Sequence, residues 1–146
     1  MNSAVRQLLA VFFDPENVEP RLRELVILRM GWNAQSVYEF GQHTLLGRSV
    51  GLSAEEIADV TRPIDQGSWG EREALVLQMT DDLYADDCVS DSTWAAMAEL
   101  WNEAQLVALP ALALTYRVVS GLLNTLGVER DAGVPGWPAL VPSPAE

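Results

Sequence analysis

Residues 20–51 read PRLRELVILRMGWNAQSVYEFGQHTLLGRSVG, and this stretch decides the fold. Pro20 suits the first position of a helix, where the N–H it lacks would have no partner in any case. From there to about Met30 the chain carries Leu25-Val26-Ile27-Leu28, apolar around the whole helical circumference, so this helix is expected to be central and buried. Gly31-Trp32-Asn33 reads as its end. Asn33 then serves as the cap of a further helix over about Ala34 to Val50, and Gly51 supplies the left-handed residue that closes it.

Outward from this pair the helical reading continues. Ser3 to Phe13 forms a short helix with Val5, Leu8, Leu9 and Phe12 on one side, stopped by Asp14-Pro15. Ser53-Ala54-Glu55-Glu56 fits a capping box for a short helix ending before Pro63. Glu71 to about Ala85 follows, with Leu75, Met79 and Leu83 as its inner stripe. Ser90 or Ser92 caps a helix carrying Trp94, Met97 and Trp101, and Asn102 opens a last long helix, bent or irregular at Pro110 and closed by Gly127. Alternating runs that would signal strands are missing, so the expected class is all-α, a bundle of six to seven helices. A single domain is expected over residues 1–130. A Pro-rich tail over 131–146 either wraps a surface or is loose.

Composition narrows the partners. The net charge is −12, and all nine basic residues are arginine. Such a surface repels phosphate backbones and anionic headgroups, which argues against nucleic acid and membrane; a small-molecule substrate, even an anionic one, stays open because a few inward-pointing arginines can create a local positive site. The longest apolar stretch, Leu106 to Leu123, is interrupted by Pro110, Arg117, Ser120 and Gly121, which fits a buried helix better than a membrane span. The N-terminus lacks the pattern of a signal peptide, so a cytoplasmic location is expected. Cys88 is the only cysteine and His43 the only histidine. That excludes an internal disulfide and a two-cysteine redox motif, and leaves no zinc or haem site of ordinary type; neither metal nor cofactor is expected.

Two groups of residues stand out chemically. Glu39 and His43 are four apart and therefore neighbours on one helical face, with Ser36 on the same stripe and Gln42 beside them. A carboxylate next to an imidazole orients the ring and raises its basicity, which is acid/base chemistry; the alternative is a surface pair or a hydrogen-bonded core histidine. Glu24 lies in the helix that reads as wholly buried, flanked by Arg21, Arg23 and Arg29. A buried carboxylate needs an arginine partner or a raised pKa, whether its role is structural or catalytic. Gly41 and Gly47 would let another backbone come close.

Four segments together resemble the carboxymuconolactone decarboxylase family, which includes the alkylhydroperoxidase D-like proteins. They are Arg23-Glu24-Leu25-Val26-Ile27-Leu28-Arg29, Tyr38-Glu39-Phe40-Gly41-Gln42-His43, Gly51-Leu52-Ser53-Ala54-Glu55-Glu56-Ile57 and Asn124-Thr125-Leu126-Gly127-Val128. The resemblance implies the alkylhydroperoxidase D-like helical bundle and a homo-oligomer, a trimer or hexamer. The peroxidase branch of the family uses two cysteines, here replaced by Ser36 and Glu39, so peroxidase chemistry is rejected. The decarboxylase branch implies cofactor-free proton transfer on a small lactone or keto acid. His43 would be the proton donor, Glu39 its partner and Glu24 a second acid/base or orienting group. Arg48 and Arg29 are candidates to hold a substrate carboxylate, unless they simply pair with acids. Ser36, Gln42 and Trp32 complete the expected binding surface. Dehydration, isomerisation or cyclisation of a biosynthetic intermediate on the same scaffold, or non-catalytic small-molecule binding, are the other readings.

Overall fold

The computed structural model describes residues 3–139 and contains seven α-helices with no strand among the described residues. They are α1 (Ser3–Phe12), α2 (Pro20–Asn33), α3 (Val37–Ser49), α4 (Ala54–Asp59), α5 (Glu71–Asp86), α6 (Asp91–Leu100) and α7 (Glu103–Thr125), with one 3-10 turn at Ile64–Gln66. α2 is the axis of the bundle and packs against α3, α5 and α7. Every residue from Leu22 to Gly31 is buried. Leu25, Val26, Ile27, Leu28 and Met30 have no exposed surface at all, and each such side chain contributes about 1.5–3 kcal/mol by leaving water.

α2 does not end at Gly31. It runs on through Trp32 to Asn33, and the chain turns at Gln35, whose φ is +52°. A glycine inside a helix costs only about 1 kcal/mol, too little to stop a helix whose neighbours are all buried. Ser36, not Asn33, therefore precedes α3, while Asn33 donates from Nδ2 to Asp81 Oδ1 at 2.8 Å. The end of α3 follows expectation, with Gly51 at φ +97°. Ser53, Ser90 and Asn102 each accept a backbone N–H at the start of α4, α6 and α7. In α1, Phe12 reaches the core; the side chains of Val5 and Leu8 lie outside the described residues.

α7 runs unbroken through Pro110. It is long and apolar enough, by length and composition alone, to cross a membrane, with 28% of its most apolar window buried. That partial burial departs from the buried helix expected there. Leu109, Leu112, Ala113, Tyr116 and Ser120 face inward, whereas Val107, Leu114, Val118 and Leu122 lie on the surface.

After Gly127 the chain folds back along α3. A Cβ on Gly41 would stand 2.2 Å from the carbonyl oxygen of Pro135, so only glycine lets the two backbones meet there. The Trp137 ring sits edge-on to Trp32, with centroids 5.2 Å apart, and 5.1 Å from Phe40. The described part of the tail thus wraps the domain. Residues 140–146 lie outside the described residues. Gly47 makes room for side chains rather than for a backbone, those of Leu52 and Leu28.

Candidate active site

α2 and α3 lie side by side, and this brings Glu24 and His43 together. Glu24 has no exposed surface; its Oε2 is 2.6 Å from His43 Nδ1, and its Oε1 accepts from Arg23 Nε at 2.8 Å. On the other side of the ring, His43 Nε2 is 2.9 Å from Oε1 of Glu39, one helical turn earlier. The imidazole is thus held between two carboxylates, and all three groups are at least nine-tenths buried. Burial alone would lower the His43 pKa. The hydrogen bonds it donates to Glu24 and then Glu39 outweigh it and push the pKa up to about 9. At neutral pH the ring is therefore an imidazolium, donating Nδ1–H to Glu24 and Nε2–H to Glu39. With Arg23 and His43 positive and Glu24 and Glu39 negative, the buried quartet is formally neutral.

The Tyr116 ring of α7 meets His43 edge-on, with centroids 5.2 Å apart. Burial, then the charges of Glu39 and Glu24, hold its phenol well above the usual range, so it stays a neutral donor.

His43 and Glu39 form part of the wall of a cavity of about 700 Å³, while Glu24 lies behind them. α3 also contributes Tyr38 to this wall, and α7 contributes Tyr116, Val119 and Leu123. α1 and the residue after it close the far side with Arg6, Leu9, Ala10 and Phe13. The Phe13 ring lies 4.3 Å from the Arg23 guanidinium, which ties the α1 side to the quartet. A wider depression of about 840 Å³ around residues 127–134 shares Tyr38 and Leu123 with the cavity but contains neither His43 nor Glu39.

Of the residues expected at the site, Glu24, Glu39 and His43 converge. The rest do not reach the cavity. Arg29 forms two hydrogen bonds of 2.7 Å to Asp81 and donates to the carbonyls of Val60 and Arg62, tying α2 to α5 and to the end of α4. Arg48 lines a separate groove of about 280 Å³ beneath Pro135 and Trp137. Trp32 packs on Trp137, and Gln42 reaches Asp131 at 3.4 Å, so both face the tail. Ser36 is wholly buried, and its hydroxyl has no partner among the described residues. No tryptophan lines the cavity; its aromatic walls are Phe13, Tyr38 and Tyr116. Cys88 is exposed on the turn between α5 and α6, far in sequence from the quartet.

Sequence reasoning missed Arg6 and Tyr116. A signal for Arg6 was present, because it shares a stripe of α1 with Leu9, Ala10 and Phe13 at helical spacing. A cation on an apolar stripe calls for an explanation. Tyr116 had no such signal.

The molecule is thus an all-α protein built around a buried carboxylate–imidazolium–carboxylate clamp that opens on an apolar cavity. A profile of the Carboxymuconolactone decarboxylase family matches residues 3–82, more than half of the chain, and the chain belongs to that family. The matched span holds the entire clamp and leaves out α7. Among solved structures the chain is similar to a protein of unknown function from Agrobacterium tumefaciens, named as a candidate antioxidant defence protein AhpD. Identity is 15%, with 89% of this chain and 92% of that one covered, at a TM-score of 0.79. The fold is therefore the AhpD-like one. No curated protein matches the sequence.

Proposed function

We propose that the protein is a cofactor-independent acid/base enzyme that moves a proton at a carbon next to a carbonyl, by decarboxylation or enolisation of a lactone or keto acid. The observation that carries this reading is the position of His43, clamped between Glu24 and Glu39 on the wall of the cavity.

In enolisation, Glu39 takes the C–H proton, and the electron pair of that bond moves onto the carbonyl oxygen. The Nε2–H of the imidazolium offers that oxygen a charge-assisted hydrogen bond. In decarboxylation, the bond to the carboxylate carbon breaks and CO2 leaves. The electron pair then forms the enolate, which is protonated at carbon by His43 or by Glu39 acting as its relay. Glu24 carries no step of its own; it fixes the ring and keeps it charged. The missing cysteine pair argues against thiol peroxidase chemistry at this site. We read the protein as a cytoplasmic homo-oligomer, in which the exposed apolar stripe of α7 meets another copy.

Solvent-deuterium incorporation at C3 of a panel of 2-oxo acids, followed by proton NMR, together with CO2 release from β-keto and lactone acids, tests the reaction. Glu39→Gln and His43→Gln should each lower the rate by about 10²–10⁴-fold. Full activity in a folded His43→Gln variant would end this reading. A second reading, ligand binding without turnover, is favoured by one observation: both ring nitrogens already have carboxylate partners. Saturable binding with no exchange on any panel member would select it.

A further inference from the structure

All nine basic residues of the chain can be located, and their positions restrict what the cavity accepts. Arg21 pairs with Glu56 and Glu73, Arg29 with Asp81, Arg62 with Asp59 and Arg117 with Asp87. Arg72 bonds the Leu100 carbonyl, and Arg130 that of Val134. Arg48 lines the separate groove under the tail, and Arg23 is committed to Glu24. Arg6 remains. It lines the His43 cavity, and no acidic side chain among the described residues pairs with it.

The neutral quartet offers an incoming anion no net attraction, so among the described residues Arg6 is the cavity's single uncompensated positive charge. Apart from Arg6 and the clamp, the wall is largely apolar, with Leu9, Phe13, Val119 and Leu123, and includes Tyr38 and Tyr116. A second carboxylate would find no second cation on this wall: it would lie on apolar surface, against a phenol or beside Glu39, and none of these supplies a compensating charge. The volume of about 700 Å³ also falls in the range that encloses ligands larger than a small lactone.

We infer that the substrate is an amphipathic monoanion: a carbonyl compound with one carboxylate, held by Arg6, and an apolar, aromatic-sized body that packs between α1 and α7. The inference rests on the enolisation form of the acid/base reading of the same site, because a substrate that loses its one carboxylate as CO2 would not keep it on Arg6. It makes Arg6, a residue of α1, the determinant of which acids are accepted.

The test scores binding without turnover, using the ring signals of the lone histidine in NMR titrations. The probes are phenylpyruvate, 4-phenyl-2-oxobutanoate and 5-phenyl-2-oxopentanoate, with their methyl esters, and 2-oxoglutarate as a dianion. The phenyl acids should shift the His43 signals saturably. Affinity should fall about tenfold for the esters, and by a similar factor for all three acids in Arg6→Gln. 2-Oxoglutarate should bind more weakly than any phenyl acid. Because Arg6 is exposed, its replacement leaves the fold intact.

Equal affinity for acid and ester, unchanged binding in Arg6→Gln, 2-oxoglutarate binding as well as the phenyl acids, or no acid binding below about 10 mM would each overturn the inference. Arg6-dependent binding of acids that never exchange a proton would sustain it while refuting the proposed reaction. Exchange that ignores Arg6 would do the reverse.

Discussion

Nδ1 of His43 lies 2.6 Å from Oε2 of Glu24, a carboxylate with no solvent-accessible surface, nineteen residues earlier in the chain. With Glu39 on the opposite nitrogen, this pairing makes the histidine a permanent cation at neutral pH. Because the chain has one histidine, that state can be read directly. The His43 ring should titrate near 9, above its ordinary 6.5. Glu39→Gln should bring the midpoint down by more than about one unit, checked by the ring-proton shifts across pH.

The same shift has a stability consequence. The folded pKa is raised, so the stabilisation is fully present below 6.5 and is lost as pH rises through about 9. It is on the order of 3 kcal/mol for a shift of this size. Urea unfolding at pH 6 and pH 10 should show the loss, and the loss should be much smaller in Glu24→Gln.

Glu24→Gln itself should destabilise by about 2–4 kcal/mol, because it leaves Arg23 buried without its anion and removes one side of the clamp. Tm and the His43 titration should fall together. A lowered Tm with an unmoved histidine would mean that the Glu24–His43 contact does not set the charge on the ring.

Arg29→Met should cost about 2–4 kcal/mol, because Asp81 loses its cation and keeps only the bond from Asn33, and two carbonyls lose their donor. It should leave the His43 titration and any proton-exchange kcat/KM unchanged, because Arg29 is a tie between α2, α4 and α5. A change confined to KM would instead place it near the substrate.

Gly41→Ala pushes a methyl group into the Pro135 carbonyl, so the tail must move off α3 at a cost of about 1–3 kcal/mol. Faster proteolysis within residues 131–139 and altered tryptophan fluorescence, through Trp137, would report the displacement. Val118→Glu, on the exposed stripe of α7, should leave the protomer folded and reduce the assembled mass in light scattering if copies meet there.

The sequence reveals those parts of the molecule that local rules determine. Leu25 to Leu28 had to be buried, because no orientation of a helix exposes only polar groups there. Glu39 and His43 had to be neighbours, because helical geometry places residues four apart on one face. Glu24 drew attention as a charge in an apolar helix. The end of α2 was misread because Gly31 and Asn33 look like stop signals, whereas tertiary burial carries the helix past them to Gln35. For Arg29 and Arg48 the sequence leaves a substrate carboxylate and an ion pair both open, because nothing local says which acid or which segment an arginine will meet. Arg6, Val119 and Tyr116 come from opposite ends of the chain, and only the packing of α1 and α7 around α3 makes them one wall.

The clamp and the apolar part of the cavity wall are carried by different stretches of chain. Arg23, Glu24, Glu39 and His43 all fall within 21 consecutive residues of one helix pair. Leu9, Phe13, Val119 and Leu123 stand near the two ends. Substitutions at Leu9, Val119 and Leu123 can therefore reshape the cavity without replacing a member of the clamp. A lineage built on this scaffold is free to change what its cavity admits while inheriting the clamp.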